Sequence, residues 1–287
     1  MANVLVKIKS LRGSFPATQR RLADYIVQYP EEVPFLSVRD LGRRATVSVA
    51  TISRFARTVG YRSYKQFKTD LGKDRLAPAN GLGGMYRAIG PSDGDEEVIE
   101  KVFHGNVTSL NDTLKILDRR ELIRAAEVLA RAGRMVFFGI GGSGHIAQDA
   151  ALRFCQLDIQ AEAYSDSYQI LAQSFRMKPG EVAVGISHSG RSAVTVQALQ
   201  IARTNRAATI GISNYLRSPL NEASQIFFCT SFPENQVKVA ALTSRIAQTC
   251  LVDALYLLVA RYRKVSFART ERLNSIVEKK LRLPGKS

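Results

Sequence analysis

The 287-residue sequence predicts two domains of different fold class: an all-α helix-turn-helix domain, followed by an α/β three-layer sandwich around a five-stranded parallel sheet. Three observations predict this organisation. Residues 1–76 are basic and polar, and their apolar residues recur at helical spacing. Residues 77–95 are rich in Gly and Pro, which favours a linker. Residues 96–287 begin with helical periodicity and continue with short apolar runs that alternate with amphipathic stretches, a pattern typical of parallel strands joined by helices.

The net charge of +16 is concentrated in the first domain. Residues 1–78 contain 15 Lys and Arg against 6 Asp and Glu, a net charge of +9, so the rest of the chain carries only +7. A basic surface attracts polyanions, and for a small domain the usual polyanion is double-stranded DNA. A basic surface that only improves solubility is the alternative at this point.

The cysteines and the apolar runs restrict the class of protein further. Cys155, Cys229 and Cys250 each lie in an apolar stretch and lack the spacing of metal ligands, so we expect reduced core residues and no metal site. The N-terminus lacks the apolar run of a signal peptide, and the most apolar stretch, 254–260, is too short to cross a bilayer. The composition therefore predicts a cytoplasmic protein without a membrane partner.

Residues 36–60, LSVRDLGRRATVSVATISRFARTVG, predict two short helices joined by a tight turn. Ser37 is expected to cap a helix over 38–45, with Asp40 three residues further on, as in a capping box. Ser48 is expected to cap the second helix. One face of that second helix is apolar and should be buried. This face consists of Ile52, Phe55, Ala56 and Val59.

The opposite face of the second helix is small, hydroxylic and cationic, as a DNA-recognition helix requires. Arg54 and Arg57 can each donate two hydrogen bonds to a guanine, and small residues at the helix start allow close approach to the major groove. Ser48 suits a phosphate or its own cap, and Lys65 suits a phosphate. The candidate DNA-binding residues are Ser48, Ala50, Thr51, Ser53, Arg54, Arg57 and Lys65. A helical unit that binds protein or nothing is the alternative from this pattern alone.

Around this motif the sequence resembles the N-terminal domain of the RpiR/MurR family of bacterial regulators. The likeness covers about residues 8–76 and is carried mainly by VSVATISRF and VGYRSYKQFK. It implies a helix-turn-helix domain that binds double-stranded operator DNA. Gly42 stands where such proteins usually have Ala, a change that should be tolerated sterically at some cost in helix stability.

The second domain should contain five buried strands. Two helices are expected first, over 96–117 and 119–132, and a long helix over about 237–262 is expected last. Between them, apolar runs alternate with amphipathic stretches such as 145–157 and 191–205. Runs that are apolar at nearly every position suit strands covered on both faces. The expected strands are 135–138, 159–164, 182–186, 208–212 and 226–229.

A glycine-rich loop follows the first predicted strand, in FFGIGGSGHIA. Its glycines let the backbone approach an anion, and the helix that follows begins with amides pointing at the same place. Ser143 adds a hydroxyl group. The loop also fits the dinucleotide pattern G-x-G-x-x-G, with Glu162 near the end of the second strand. A dinucleotide site is therefore a rival interpretation of this loop taken alone.

A serine-rich loop follows the third predicted strand, in GISHSGRSAV. Ser187, Ser189 and Ser192 surround Gly190 directly before a helix. A dinucleotide needs no second hydroxyl-rich loop, whereas a phosphate monoester can use both loops, because adjacent strand ends converge on one crevice. For Ser189 or Ser192, simple helix capping is the alternative.

These two loops resemble those of the SIS (sugar isomerase) fold, and the likeness covers about residues 119–260. The resemblance implies loops that grip a phosphosugar, and a last helix around Asp253 that packs between the subunits of a homodimer or homotetramer. Ser192 stands where Thr is frequent, a change that keeps the hydroxyl group. The resemblance implies that the phosphate is bound by Ser143, Ser187, Ser189 and Ser192. Gly141 and Gly142 of the glycine-rich loop and His188 of the serine-rich loop are further candidate phosphosugar-binding residues from their position in the loops.

The choice between an enzyme and a sensor depends on a catalytic base. An isomerase must move a proton between adjacent carbons, so it needs a base that is active near neutral pH. Isomerases that share the GSGH element commonly carry Lys before its Ser, where this chain has Gly142. The candidate bases lie outside any motif recognisable as catalytic; they are Glu162, Asp166, Glu234, His145 and His188. The sequence therefore predicts a bacterial transcriptional regulator of sugar metabolism, modulated by a phosphorylated sugar and without catalytic residues or a cofactor. A phosphosugar isomerase with a basic helical appendage is the alternative.

Overall fold

The structure, a computed structural model, describes residues 4–30, 32–76, 92–231, 242–265 and residue 275. Most of the predicted linker, residues 77–95, lies outside this part of the chain. So do Glu234 and the first residues of the predicted last helix.

The helices of the first domain surround one apolar core. Phe55 lies at its centre, 5.1 Å from Phe15 and 6.0 Å from Phe67 between ring centroids, and all three side chains are buried. Short 3-10 turns at Arg12–Ser14 and Val33–Phe35 connect the longer helices. Within residues 4–76 as described, the α-helices are α1 (Val4–Leu11), α2 (Ala17–Gln28), α3 (Val38–Arg44), α4 (Val49–Thr58) and α5 (Tyr64–Leu76).

Helices α3 and α4 confirm the predicted helix pair, and both predicted caps are present. The Asp40 amide donates to Ser37 Oγ over 3.1 Å, and the Thr51 amide donates to Ser48 Oγ over 3.2 Å. Each bond satisfies an amide that the helix itself leaves unpaired. A methyl group on Gly42 would lie 2.8 Å from the Val47 carbonyl oxygen. Gly42 therefore allows the turn to lie closer to α3 than an alanine would.

The second domain contains the predicted five-stranded sheet, in which all neighbouring strands are parallel and the order is β2-β1-β3-β4-β5. Its strands are β1 (Arg134–Phe138), β2 (Gln160–Tyr164), β3 (Glu181–Ile186), β4 (Ala208–Ser213) and β5 (Ile226–Cys229). Its described helices are α6 (Asp95–Ile116), α7 (Arg119–Arg131), α8 (Gly142–Cys155), α9 (Ser167–Arg176), α10 (Ala193–Thr204), α11 (Pro219–Ala223) and α12 (Leu242–Arg263).

Helices cover both faces of the sheet, as the apolar strands require. On one face, Val182 and Val184 of β3 pack with residues of α7, α8 and α12. On the other face, Ala183 packs with residues of α9, α10 and α11. This arrangement confirms the three-layer sandwich and leaves the strand ends, with their loops, at the edges of the sheet.

The expectation that all three cysteines are core residues is wrong for two of them. Cys155 and Cys250 are exposed and Cys229 is partly buried, and all three are free thiols. Phe154 is the last inward-facing residue of α8, so the next position, Cys155, turns toward solvent. None of the described helices is long and apolar enough to cross a membrane.

Candidate functional site

Helix α4 presents the outward face that a recognition helix needs. Its apolar residues Ile52 and Phe55 are 1% exposed, as predicted. Ala50, Arg54 and Arg57 are exposed on the other side, and Ser53 is partly exposed at its border. The sequence places small residues at the start of this face and cations further along it. This surface can therefore come close to a groove and donate hydrogen bonds into it.

Thr51 differs from the expectation. It is only 7% exposed, and its hydroxyl lies 2.9 Å from Ser48 Oγ. Thr51 lies one turn after Ser48, where its amide and its hydroxyl both reach the capping oxygen. The structure therefore places Thr51 in the cap of α4 and not on the outward face.

The cations around α4 differ in their partners. Arg43 is paired with Asp40 and Arg44 with Glu32, whereas Arg54 and Arg57 form no ion pair with any residue that the structure describes. Lys65 is exposed at the start of α5. Arg54, Arg57 and Lys65 are thus exposed and available to an external polyanion.

The glycine-rich loop after β1 is folded too tightly for side chains at two positions. A methyl group on Gly139 would lie 2.6 Å from the Ser143 carbonyl oxygen, and one on Gly144 would lie 2.9 Å from the Gly139 carbonyl oxygen. Gly141 has a φ of +58°, which favours glycine. Gly141 and Gly142 are exposed, and Ser143 lies in the first turn of α8. The Ser143 amide donates to the Ile140 carbonyl over 3.2 Å and the Gly144 amide to the Gly141 carbonyl over 2.9 Å. The exposed Gly142 amide is therefore the donor of this turn that is best placed for an anion.

The serine-rich loop after β3 lies beside the glycine-rich loop. Phe138, the last residue of β1, pairs with Gly185 of β3, so both loops leave the sheet at the same edge. Ser187 is buried, while Ser189 and Ser192 are partly exposed. The structure thus brings the predicted phosphate-binding serines of two different strands to adjacent strand ends.

Capping explains little of the serine-rich loop. Ser192 occupies the N-cap position of α10, but its side chain makes no capping bond; its Oγ accepts a hydrogen bond from Thr195 Oγ1 over 3.0 Å. Ser189 Oγ accepts from the Arg191 amide over 3.2 Å, within the loop. The α10 N-terminus therefore remains suited to an external anion.

His188 is held in one orientation inside this loop. Its Nδ1 lies 3.0 Å from Asn214 Oδ1, and the Asn214 amide group donates to the Thr230 carbonyl over 3.1 Å. Because that carbonyl can only accept, the Asn214 Oδ1 faces His188, so Nδ1 carries the proton. Burial lowers the pKa of His188 from its ordinary value, and the Asn214 hydrogen bond only partly opposes this effect. The lowered pKa favours the neutral form of the His188 imidazole.

Two residues near the loops were missed by sequence reasoning, and both lie on α12. A methyl group on Gly142 would lie 3.7 Å from Arg245 Cδ, so Arg245 borders the glycine-rich loop. Gln248 is buried, and its Nε2 donates to Asn214 Oδ1 over 3.0 Å. The fold alone brings α12 to this edge, and no local pattern in the sequence signals the two contacts.

Glu162 is already paired inside the protein. Arg134 donates to its two carboxylate oxygens, over 2.7 Å and 3.2 Å. This guanidinium lowers the pKa of Glu162 to about 2, helped by hydrogen bonds from Tyr164 and Gln160 and opposed by burial. A carboxylate that is paired with Arg134 and ionised at neutral pH is neither a base poised near neutral pH nor a free acceptor for a ribose.

Among the residues that the structure describes, the remaining candidate bases, Asp166 and His145, are not arranged for catalysis or metal binding. Asp166 Oδ1 caps α9 by accepting from the Gln169 amide over 3.0 Å. His145 is exposed on α8. A cavity of about 790 Å³ lies near the amino ends of β1 and β3, beside Arg134 and Glu181, away from the serine-rich loop. Within the described residues, no three His, Cys, Asp or Glu side chains are grouped to hold a metal ion.

Comparisons with known proteins match both halves of the chain. The family model described as a helix-turn-helix domain of the rpiR family matches residues 2–78, and that of the SIS domain matches residues 128–258. An uncharacterized HTH-type transcriptional regulator of Caldanaerobacter subterraneus is 35% identical over 91% of this chain and 92% of its own length. The HTH-type transcriptional regulator HexR of Pseudomonas aeruginosa is 31% identical over 93% of this chain and 92% of its own length.

A solved structure also resembles the whole chain. The Vibrio vulnificus NanR protein complexed with ManNAc-6P has a TM-score of 0.61 and 24% identity, over 98% of this chain and 100% of that one. At this level of identity the likeness shows a shared fold.

Proposed function

Because the chain belongs to the RpiR family of helix-turn-helix transcriptional regulators and carries a SIS domain, we propose that a phosphorylated sugar bound at its two loops modulates its binding to operator DNA. One observation carries this proposal. The glycine-rich loop of β1 and the serine-rich loop of β3 leave neighbouring strands at the same edge, each directly before a helix N-terminus. Two such N-termini and several hydroxyl groups suit a compact dianion.

The phosphate is bound by Gly141, Gly142 and Ser143 from one loop, and by the serine-rich loop from the other. Ser187, Ser189 and Ser192 donate hydroxyl protons, and Arg245 adds positive charge beside Gly142. His188 contacts the sugar. The ligand class is supported by NanR of V. vulnificus, a protein of the same fold that was solved with ManNAc-6P.

The DNA partner is a palindromic operator bound by a homodimer or homotetramer, since symmetric half-sites need a symmetric protein. Each α4 enters one major groove. Ala50 and Ser53 allow the approach, Arg54 and Arg57 meet bases, and Ser48 and Lys65 meet phosphates. Sugar-phosphate binding changes the spacing of the two DNA-binding domains. The size of this change depends on how much more tightly the sugar phosphate binds one arrangement of the domains than the other.

Regulation without catalysis is the better interpretation of the second domain. Glu162 is locked to Arg134, and Asp166 caps a helix, so neither is available as a base. One observation favours the alternative, a phosphosugar isomerase. Burial lowers the pKa of His188, which favours a neutral imidazole at the loops, and a neutral imidazole can accept a proton. Turnover of hexose phosphates that is lost in His188→Gln would support the enzyme, whereas absence of turnover supports the sensor.

A titration with sugar phosphates tests the site. The probes are glucose 6-phosphate, fructose 6-phosphate and N-acetylmannosamine 6-phosphate, and the measurement is thermal stabilisation of the full chain. Replacing Ser187 and Ser189 by Ala should abolish stabilisation, because each hydrogen bond to a charged phosphate contributes about 1.5–3 kcal/mol. Ser224→Ala is the matched control, since Ser224 precedes β5 at the opposite edge. Stabilisation that survives the double substitution would refute the site assignment.

A binding assay on operator and random DNA tests the recognition helix. Arg54→Ala should reduce the preference for the operator by about 1–3 kcal/mol if Arg54 contacts a base pair. Lys65→Ala should weaken operator and random DNA equally and lower the salt dependence. Arg120→Ala, an exposed substitution on α7, removes the same charge elsewhere. Equal losses on both DNAs for Arg54→Ala would show that this residue holds phosphate only.

A further inference from the structure

The serine-rich loop contacts the DNA-binding domain directly. Arg191, between Ser189 and Ser192, donates from its Nη2 to the carbonyl oxygen of Gly13 over 3.3 Å. Gly13 belongs to the 3-10 turn between α1 and α2. A residue at the proposed phosphate site thus also binds the backbone of the other domain.

A second segment, residues 213–218, strengthens the same contact. The Leu216 amide donates to the Ser10 carbonyl over 2.9 Å, and the Tyr215 ring lies so close to Gly13 that a methyl group there would be 2.8 Å from Tyr215 Cδ1. The Tyr215 ring also packs edge-on against the His188 ring, with centroids 6.2 Å apart. The serine-rich loop and the segment 213–218 therefore both contact the first domain at the turn Arg12–Ser14 or at the end of α1 just before it.

On the DNA-binding side, this turn is fixed to the recognition helix. Arg12 is paired with Asp24 of α2 over 2.7 Å. Phe15, one residue after the turn, packs against Phe55 of α4 with 5.1 Å between ring centroids. A displacement at Gly13 is therefore transmitted to α4 through packed side chains, which yield little when compressed.

Arg191 has two competing partners once a phosphate is present. The Gly13 carbonyl is neutral and accepts one hydrogen bond from Arg191, whereas a phosphate carries negative charge and can accept two parallel hydrogen bonds from one guanidinium. We propose that Arg191 is a phosphate-binding residue that leaves Gly13 when a sugar phosphate binds, and thereby releases the DNA-binding domain. This inference rests on the proposed phosphate site.

The competition has a consequence that a purely structural contact lacks. If a phosphate must displace the Gly13 carbonyl from Arg191, part of its binding free energy is spent on breaking that contact. A substitution at Gly13 that weakens the Arg191–Gly13 contact should therefore increase the affinity for phosphate, because the two interactions are thermodynamically coupled. Gly13 itself lies in the other domain, so its substitution does not alter the proposed site directly.

Calorimetric titration of the full-length Gly13→Ala variant tests this consequence. The probes are inorganic phosphate and the three sugar phosphates above. The added methyl group collides with Tyr215 at the domain contact, and because Gly13 has no positive φ, its own backbone is not strained. We expect affinity for a bound probe to rise at least threefold. Gly133→Ala, where a methyl group meets nothing within 4 Å, should leave the affinity unchanged. Unchanged or weaker binding by Gly13→Ala would overturn the inference.

The Arg191→Ala variant tests the other side of the competition. We expect probe affinity to fall about tenfold, as for loss of one charged hydrogen-bond partner, and DNA affinity to become insensitive to the probe. Arg120→Ala should keep both wild-type responses. If no probe binds the wild-type protein, the phosphate site itself fails, and the inference with it. If probes bind and modulate DNA binding equally in wild type and Arg191→Ala, only the inference fails.

Discussion

Gly190 should be among the least replaceable residues of the serine-rich loop, for two separable reasons. Its φ is +64°, a conformation that costs a residue with a side chain about 1–3 kcal/mol. A methyl group would also lie 2.5 Å from Ser218 Cβ and 2.8 Å from Ser213 Oγ. Overpacking of this kind costs about 1–3 kcal/mol in addition. Gly190→Ala should therefore lower the free energy of unfolding by about 2–6 kcal/mol.

Two other glycines separate the backbone contribution from the steric one. Gly180 has a φ of +87° but open space around it, so Gly180→Ala should lose only the backbone contribution, about 1–3 kcal/mol. Gly133 has neither a positive φ nor a close neighbour, so Gly133→Ala should change stability by less than about 1 kcal/mol.

Urea unfolding of the three variants, followed by circular dichroism, gives the measurement. The expected order of destabilisation is Gly190→Ala, then Gly180→Ala, then Gly133→Ala. Equal losses for Gly190→Ala and Gly180→Ala would refute the steric argument, because it assigns their difference to Ser213 and Ser218 alone.

Three further predictions concern single side chains. Glu162→Gln should lower the free energy of unfolding at pH 7 by about 1–3 kcal/mol, since Arg134 loses its charged partner. The pKa of Glu162 is about 2 in the folded protein against an ordinary 4.5, so the stability difference between wild type and Glu162→Gln should narrow as the pH falls below 4.5. Urea unfolding at several pH values measures this difference, and a difference that stays constant would contradict the prediction. Because the pKa of His188 is lowered in the folded protein, the unfolded chain binds a proton at His188 more readily, and the free energy of unfolding of the wild type should fall as the pH drops below 6.5. His188→Gln should weaken this dependence of stability on pH. An unchanged pH dependence would contradict the lowered pKa of His188. Ser48→Ala should destabilise the first domain by about 1 kcal/mol, because α4 loses its N-terminal cap. Ser48→Asp should keep the wild-type stability, since aspartate is also a good capping residue. Equal stability of Ser48→Ala and wild type would show that Ser48 does not stabilise α4 as a cap.

The sequence predicted the features that depend on local pattern. Short apolar or aromatic runs located the five strands to within a residue or two. They are clearest for the central strands β1, β3 and β4, because a parallel sheet between two helix layers leaves its central strands no polar face. Capping serines located the starts of α3 and α4 for a similar reason: Ser37 and Ser48 satisfy amides that any helix leaves unpaired. Glycines that permit close approach marked the loop after β1.

The features that sequence reasoning missed depend on contacts between distant segments or on a small rotation around a helix. Arg245 borders Gly142 only because α12 returns to the edge of the sheet where α8 begins. Thr51 lies at the boundary of two helix faces, and its bond to Ser48 decides which face it joins. Cys155 follows an inward-facing residue and is therefore rotated out of the core. Periodicity assigns the middle of a helix face well and its edges poorly.

The close packing around Gly190 connects the two proposed functions physically. A serine-rich loop that wraps a phosphate needs a tight turn, and Gly190 provides it by lying directly against Ser213 and Ser218. Ser213 and Ser218 lie at the two ends of the segment 213–218. In this segment, the Leu216 amide donates a hydrogen bond to the Ser10 carbonyl of the DNA-binding domain. Because such packing leaves no space to absorb a shift, a loop that closes on a phosphate must move this segment as well. In the proposed mechanism, the turn at Gly190 would therefore both shape the phosphate site and carry its occupancy to α4.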